Sequence, residues 1–179
     1  ADLDEDMARD VIGRDDDVDR LYMVVSRIFR ETLRTPKAIE ELGLPREVCF
    51  DYHSSARQLE RIADHATKIA HLTLNFEEAV PAEVVEALKE LHADAVQVVD
   101  DAMEALFMDD STEATRLAND AREAVQDIDG RAREIDELLR DLDPTRAQLL
   151  GLIVDSLSRS ADYGGNIAET ALQKAAPSP

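Results

Sequence analysis

The stretch from Ala56 to His71, ARQLERIADHATKIAH, constrains this chain more than any other, because a single helical period meets two demands there. Leu59, Ile62, Ala66 and Ile69 recur at three- and four-residue spacing and make one apolar stripe, while Arg57, Glu60, Asp64 and His71 fall beside it. The stretch therefore reads as a helix with one face for a core and another bearing acids. The chain repeats this device near its end. Leu157 to Glu169, LSRSADYGGNIAE, aligns with Leu59 to His71 at an offset of 98 residues, and Leu, Arg, Ala, Asp, Ile and Ala recur in place.

Composition sets what such helices pack into. The chain has 179 residues, 44% of them apolar, with only six Gly and six Pro, which reads as one well-buried helical core or a pair of small ones. Aromatics are 4% and Trp is absent, so the core is built from Ala, Leu, Val and Ile, and no strands are expected. Asp and Glu outnumber Lys and Arg by 40 to 20, and the net charge of -20 repels phosphate backbones, so these residues are not a nucleic-acid surface. With 23 Asp and only four Lys, a highly saline cytoplasm is the simplest setting. Cys49 is the only cysteine and is expected as a buried small apolar residue in a reducing compartment. No run is long enough to insert in a membrane, and the opening ADLDEDMARD has the wrong charge for a signal peptide, so the expected location is cytoplasmic.

The periodicity predicts a first helix over residues 3–33, with Val11, Val18, Leu21, Val25, Ile28 and Phe29 on one side and Asp15, Asp16 and Asp19 across from them. Thr35-Pro36 should end it, and Lys37 to Pro45 reads as a loop with about one turn. A second helix is expected over 46–75, then a short acidic linker, then a third over 81–107 with Pro81 in its first turn. The third carries Val84, Leu88, Leu91, Ala95, Val98, Ala102 and Leu106, the seam of an antiparallel bundle. A fourth follows over 112–142, capped by Asp110 or Ser111, with Leu117, Ala121, Ala124, Ile128, Ile135, Leu138 and Leu139 inward. The fifth starts at Asp143-Pro144, runs to Lys174 and precedes a fraying tail. Gly164-Gly165 inside it costs about 2 kcal/mol of helix propensity and is read as a close helix approach.

The repeat reaches further, because Asp17-Val18-Asp19 matches Asp127-Ile128-Asp129 at an offset of 110. The second copy has three helices and the first only two, with nothing ahead of residue 3 to match 81–107. Either the fold is asymmetric or a helix precedes this chain. The division expected is a partial first repeat over 1–76, a second over 77–176 and a tail over 177–179.

Two such copies, with LERIADHATKIA at Leu59 to Ala70 closing the first and Asp155 to Glu169 closing the second, resemble the PhoU family of phosphate-signalling regulators. The resemblance covers nearly the whole chain and, with the acid excess, suggests a haloarchaeal-type member lacking its N-terminal part. It implies an all-α antiparallel helical bundle of two three-helix repeats, the first without its first helix. It further implies a non-enzymatic regulator of phosphate uptake, acting by contact with a phosphate transporter component or signalling protein, and compatible with a homodimer. Multinuclear metal clusters on paired Glu/Asp-x-x-x-Asp motifs are also implied. By position these motifs fall on Asp15 and Asp19, and on Glu60 and Asp64. The second copy keeps Asp129 and Asp162 but has Val125 and Ser158 where the leading acids belong, leaving Asp155 and Glu169 as replacement ligands and Glu123 with Asp127 out of register.

Acids four apart on a helix project from one face, and two facing pairs place four carboxylates around one point, where a cation relieves their repulsion. Oxygen ligands suit magnesium, manganese, calcium or iron, and a nearby His71 tilts the choice toward iron or zinc. Three rivals stand beside this. A di-iron enzyme needs Glu-x-x-His on two helices, which no histidine here satisfies. A phosphotransfer bundle would use an exposed His65 with Lys68 beside it. A structural interaction bundle would keep its acids for solubility alone.

Overall fold

The structure, a computed structural model, describes residues 5–76 and 79–176. It has six helices: α1 (Glu5–Arg34), α2 (Pro36–Leu42), α3 (Arg46–Thr73), α4 (Ala82–Phe107), α5 (Ser111–Leu139) and α6 (Pro144–Ala175), with no strand among the described residues. The expected helix start at Leu3, part of the acidic linker and the tail over 177–179 lie outside them.

Local chemistry accounts for the breaks. Pro36 stops α1 but, with its fixed φ, also opens α2 from its first turn, so the expected loop is a seven-residue helix. Gly43 closes α2 at φ 66, a left-handed position suited to glycine, and donates its N–H to the Ile39 carbonyl at 3.0 Å. Asp110 caps α5, accepting from the N–H groups of Thr112 and Glu113 at 2.9 and 3.0 Å. Asp143 caps α6 by accepting from Arg146 N–H at 3.0 Å, with Pro144 in the first turn. Pro81 sits at the N-cap of α4, one place before the expected first turn.

The helices run as the repeat requires. Contacts of Asp15 with Thr67 and Ser26 with His53 make α1 and α3 antiparallel, and Lys68 with Asp155 and Gln58 with Asn166 do the same for α3 and α6. α4, α5 and α6 pack mutually, α3 lies along α6, and α1 packs on α3 and α2. Two apolar clusters form the core. Val84, Leu91, Ile128, Ile135, Leu150, Val154 and Leu157 make one, with Ile69 and Leu72 of α3 against it. Ala102, Leu106, Ala118, Ala121, Ile167 and Ala168 make the other, with Tyr52 and Leu59 of α3 against it. At Gly164 an added Cβ would lie 2.9 Å from Val98 Cγ1 and 3.2 Å from Val99 N, so this glycine sets how closely α6 approaches α4.

α1 departs from the expected pattern. Val11, Val18, Val25 and Phe29 are half-buried, and Phe29 stacks on His53 with centroids 4.5 Å apart, but Leu21 is 67% exposed and Ile28 45% exposed. Only Ala8 and Thr32 of its 30 residues are buried. The reason is the asymmetry of the two copies: α5 is covered by both α4 and α6, whereas α1 rests on α3 alone along most of its length.

Candidate metal centre

The antiparallel packing of α1 on α3 sets the acids of one helix against those of the other. One carboxylate oxygen each from Asp19, Glu60 and Asp64 lie within 4.8 Å of one another, the only such group of potential ligands among the described residues. Asp19 and Asp64 are exposed and Glu60 is half-buried. Asp15 joins from one turn earlier on α1: its Oδ1 accepts a hydrogen bond from Thr67 Oγ1 at 3.1 Å, and its charge acts on Asp64.

The electrostatics are those of like-charge crowding that nearby cations offset only in part. Partial burial, then the charges of Asp15 and Asp19, raise the Asp64 carboxyl above its ordinary value. Glu60 is raised by partial burial, then by Asp64, with Asp19 adding a smaller push. Arg57 opposes both shifts but is engaged elsewhere, donating to the Tyr22 hydroxyl at 3.3 Å with its guanidinium 5.6 Å from that ring. The donor set is all carboxylate, which fits a hard cation that prefers oxygen. His71 is exposed and is not part of the group, so the sequence argument for a nitrogen ligand has no support here.

The second copy keeps only Asp129 and Asp162 in register, and basic residues offset the acids around them. Asp129 lies near enough to Asp162 for its charge to help raise that carboxyl, after partial burial, as Asp19 does for Asp64. Arg159, however, stands 3.6 Å from Asp162 and 3.8 Å from Asp155, and Lys68 reaches across from α3 to Asp155 at 3.5 Å. Arg122 takes Glu169 at 3.5 Å. Glu123 and Asp127 are both exposed on α5.

The fourth corner differs most. At the offsets of 110 and 98, Asp15 and Thr67 correspond to Val125 and Gly165, and a Cβ on Gly165 would lie 3.2 Å from Val125 Cγ2. A polar hydrogen-bonded pair in one copy is an apolar close contact in the other. Sequence reasoning found the acids but missed Thr67, although the paired change Asp15/Thr67 to Val125/Gly165 is visible in the repeat alignment. It also gave no ion-pair role to Arg159, whose partners Asp155 and Asp162 are one turn away on α6, or to Lys68 and Arg122, whose partners lie on another helix.

Of the rival nucleophiles, His65 sits in different surroundings from those expected. His65 is half-buried rather than exposed, its ring 5.7 Å from Tyr163 and its Nδ1 enclosed, and burial followed by Lys68 lowers its pKa. Cys49 is buried, as expected, and His53 shares a hydrogen bond with Ser26 at 3.2 Å.

No curated protein matches the chain. The solved structures include a crystal structure of the phosphate transport system regulatory protein PhoU from Streptococcus pneumoniae. It matches with a TM-score of 0.73 and 21% identity over 95% of this chain and 79% of that one. Residues 1–73, the part that contains Asp15, Asp19, Glu60 and Asp64, match the PhoU domain family, so the chain carries a PhoU domain match over these residues and shares the fold of a PhoU protein over nearly all its length.

Proposed function

We propose that this chain is a non-enzymatic regulator of phosphate transport that holds a cation on Asp15, Asp19, Glu60 and Asp64 and acts through contact with a transporter component or signalling protein. The observation that carries the reading is the coincidence of the acid group with the PhoU-matching residues. The fold alone would not carry it, since one fold serves many functions. When bound, the cation supplies positive charge at a seam that otherwise holds like charges face to face.

The protein's own residues supply the rest. Asp15 and Asp19 come from α1, Glu60 and Asp64 from α3, and Thr67 fixes the Asp15 carboxylate by its hydrogen bond. A cation there would tie α1 to α3, where few buried residues do so. Asp155, Asp162 and Glu169 would serve as an ion-paired counterpart beside Asp129, with Arg159, Lys68 and Arg122 in the place of metal. No described helix is long and apolar enough to cross a membrane, and we place the protein in the cytoplasm beside its partner.

The test is phosphate uptake by host cells supplied with ample phosphate. Deleting the gene should raise uptake, restoring the wild type should lower it again, and a variant carrying Asp19→Asn, Glu60→Gln and Asp64→Asn should fail to restore it. Uptake unchanged by deletion would overturn the regulatory reading.

A further inference from the structure

The α1–α3 seam changes sign beyond the acid group, and the proposed function uses only its acidic end. From Asp15 and Asp19 the same stripe of α1 continues through Tyr22, Ser26 and Arg30, and from Asp64 and Glu60 the facing stripe of α3 continues through Arg57 and His53. Arg57 donates to the Tyr22 hydroxyl at 3.3 Å, and Ser26 Oγ and His53 Nε2 lie 3.2 Å apart. The His53 ring stacks on Phe29 and Tyr22, with centroids 4.5 and 5.9 Å away, and burial followed by Arg30 and Arg57 lowers its pKa, so both guanidiniums stand close to it. Arg30 is exposed and forms no ion pair among the described residues. Residues 20–30 and 52–59, which carry this half of the seam, hold no acid in a chain that has 40.

The seam does not need these residues in order to form. At the offsets of 110 and 98, Tyr22, Ser26, His53 and Arg57 correspond to Ala132, Asp136, Gly151 and Asp155, and α5 packs on α6 without them. This side is open in both copies: Asp136 and Asp155 are exposed, although α4 covers α6 at Gly164, on the opposite face of that helix. Guanidinium groups match tetrahedral oxyanions through paired N–H donors, and hydroxyls beside them add single ones. A net charge of -20 repels a polyanion far more than a small ion. We propose that this half of the seam binds a small divalent oxyanion of the phosphate type, held by Arg30 and Arg57 with the Ser26 and Tyr22 hydroxyls, while His53 orients Ser26 through their hydrogen bond. The ligands are separate from the carboxylates of the cation site, so the test does not rest on that reading.

Isothermal titration of inorganic phosphate into the full chain, in chelator and about 0.1 M chloride, tests this. Binding with a Kd of about 1 mM is expected. Arg30→Met and Ser26→Ala should each weaken it about tenfold, the loss expected for a hydrogen bond to a charged group, while helicity by circular dichroism stays unchanged. Arg116→Met removes the same charge from an exposed ion pair on α5 and should leave binding as it was, which separates a site from the general field of the chain. A wild type that takes up no phosphate, or equal binding by Arg30→Met and Arg116→Met, would overturn the proposal.

Discussion

Crowded carboxylates without a cation should destabilise the fold, and removing two of them should relieve it. At a separation of 4.8 Å two carboxylates repel by about 0.9 kcal/mol with the dielectric of water, and Asp19, Glu60 and Asp64 make three such pairs. Salt at about 0.1 M, where the screening length is roughly 10 Å, leaves about 2 kcal/mol of this for such exposed groups. Glu60→Gln with Asp64→Asn abolishes all three repulsions while keeping shape. In chelator the double variant should therefore melt about 4 to 8 °C above the wild type, using about 2 to 4 °C per kcal/mol for a chain of this size. At about 1 M salt, with screening near 3 Å, most of the difference should vanish.

The pH dependence follows the same logic. Both carboxyls are raised in the folded chain above the unfolded values of 4.5 for Glu and 3.8 for Asp, so the folded state holds these protons more tightly. Their destabilising effect is absent below the unfolded values, grows as pH rises through the raised ones and is constant above. The gap between variant and wild type should open over that window in calorimetric melts. A double variant that melts at or below the wild type in chelator at low salt would refute the reasoning.

Gly164→Ala should destabilise, because about 1 kcal/mol of helix propensity gained is outweighed by a Cβ at 2.9 Å from Val98 Cγ1 and overpacking costs about 1 to 3 kcal/mol. Gly130→Ala, with nothing within 4 Å of the new Cβ, should raise the melting temperature by about 2 to 4 °C, and thermal melts of the pair compare the two sites directly. Arg159→Met should lower the melting temperature at low salt by no more than about 2 to 4 °C, since it strips Asp155 and Asp162 of an exposed ion-pair partner worth at most about 1 kcal/mol.

How much could be read beforehand depends on whether one helix held the information. Period alone placed five of the helices and put Asp15 with Asp19, and Glu60 with Asp64, each on one face, because spacing within a helix fixes a face, whereas joining the two pairs into one site rested on the resemblance. α2 was lost because Pro36 was read as a stop, although a proline that ends one helix is equally suited to start the next. The exposure of Leu21 and Ile28 was out of reach: an apolar stripe tells that a helix has a face to cover, and only the packing shows whether anything covers it. Neutralisation of Asp155 and Glu169 by Lys68 and Arg122 joins residues far apart in the chain, so it too needed the fold. The exchange of Asp15/Thr67 for Val125/Gly165 needed only the alignment of the chain with itself.

The claim that the first copy is the cation site is tested most directly by titrating Mn(II) or Fe(II) into chelator-stripped protein and measuring bound metal. Wild type and Asp162→Asn should take up the ion alike, and Glu60→Gln with Asp64→Asn should lose it. Equal uptake by the wild type and that double variant would contradict the account and leave these carboxylates as surface charge.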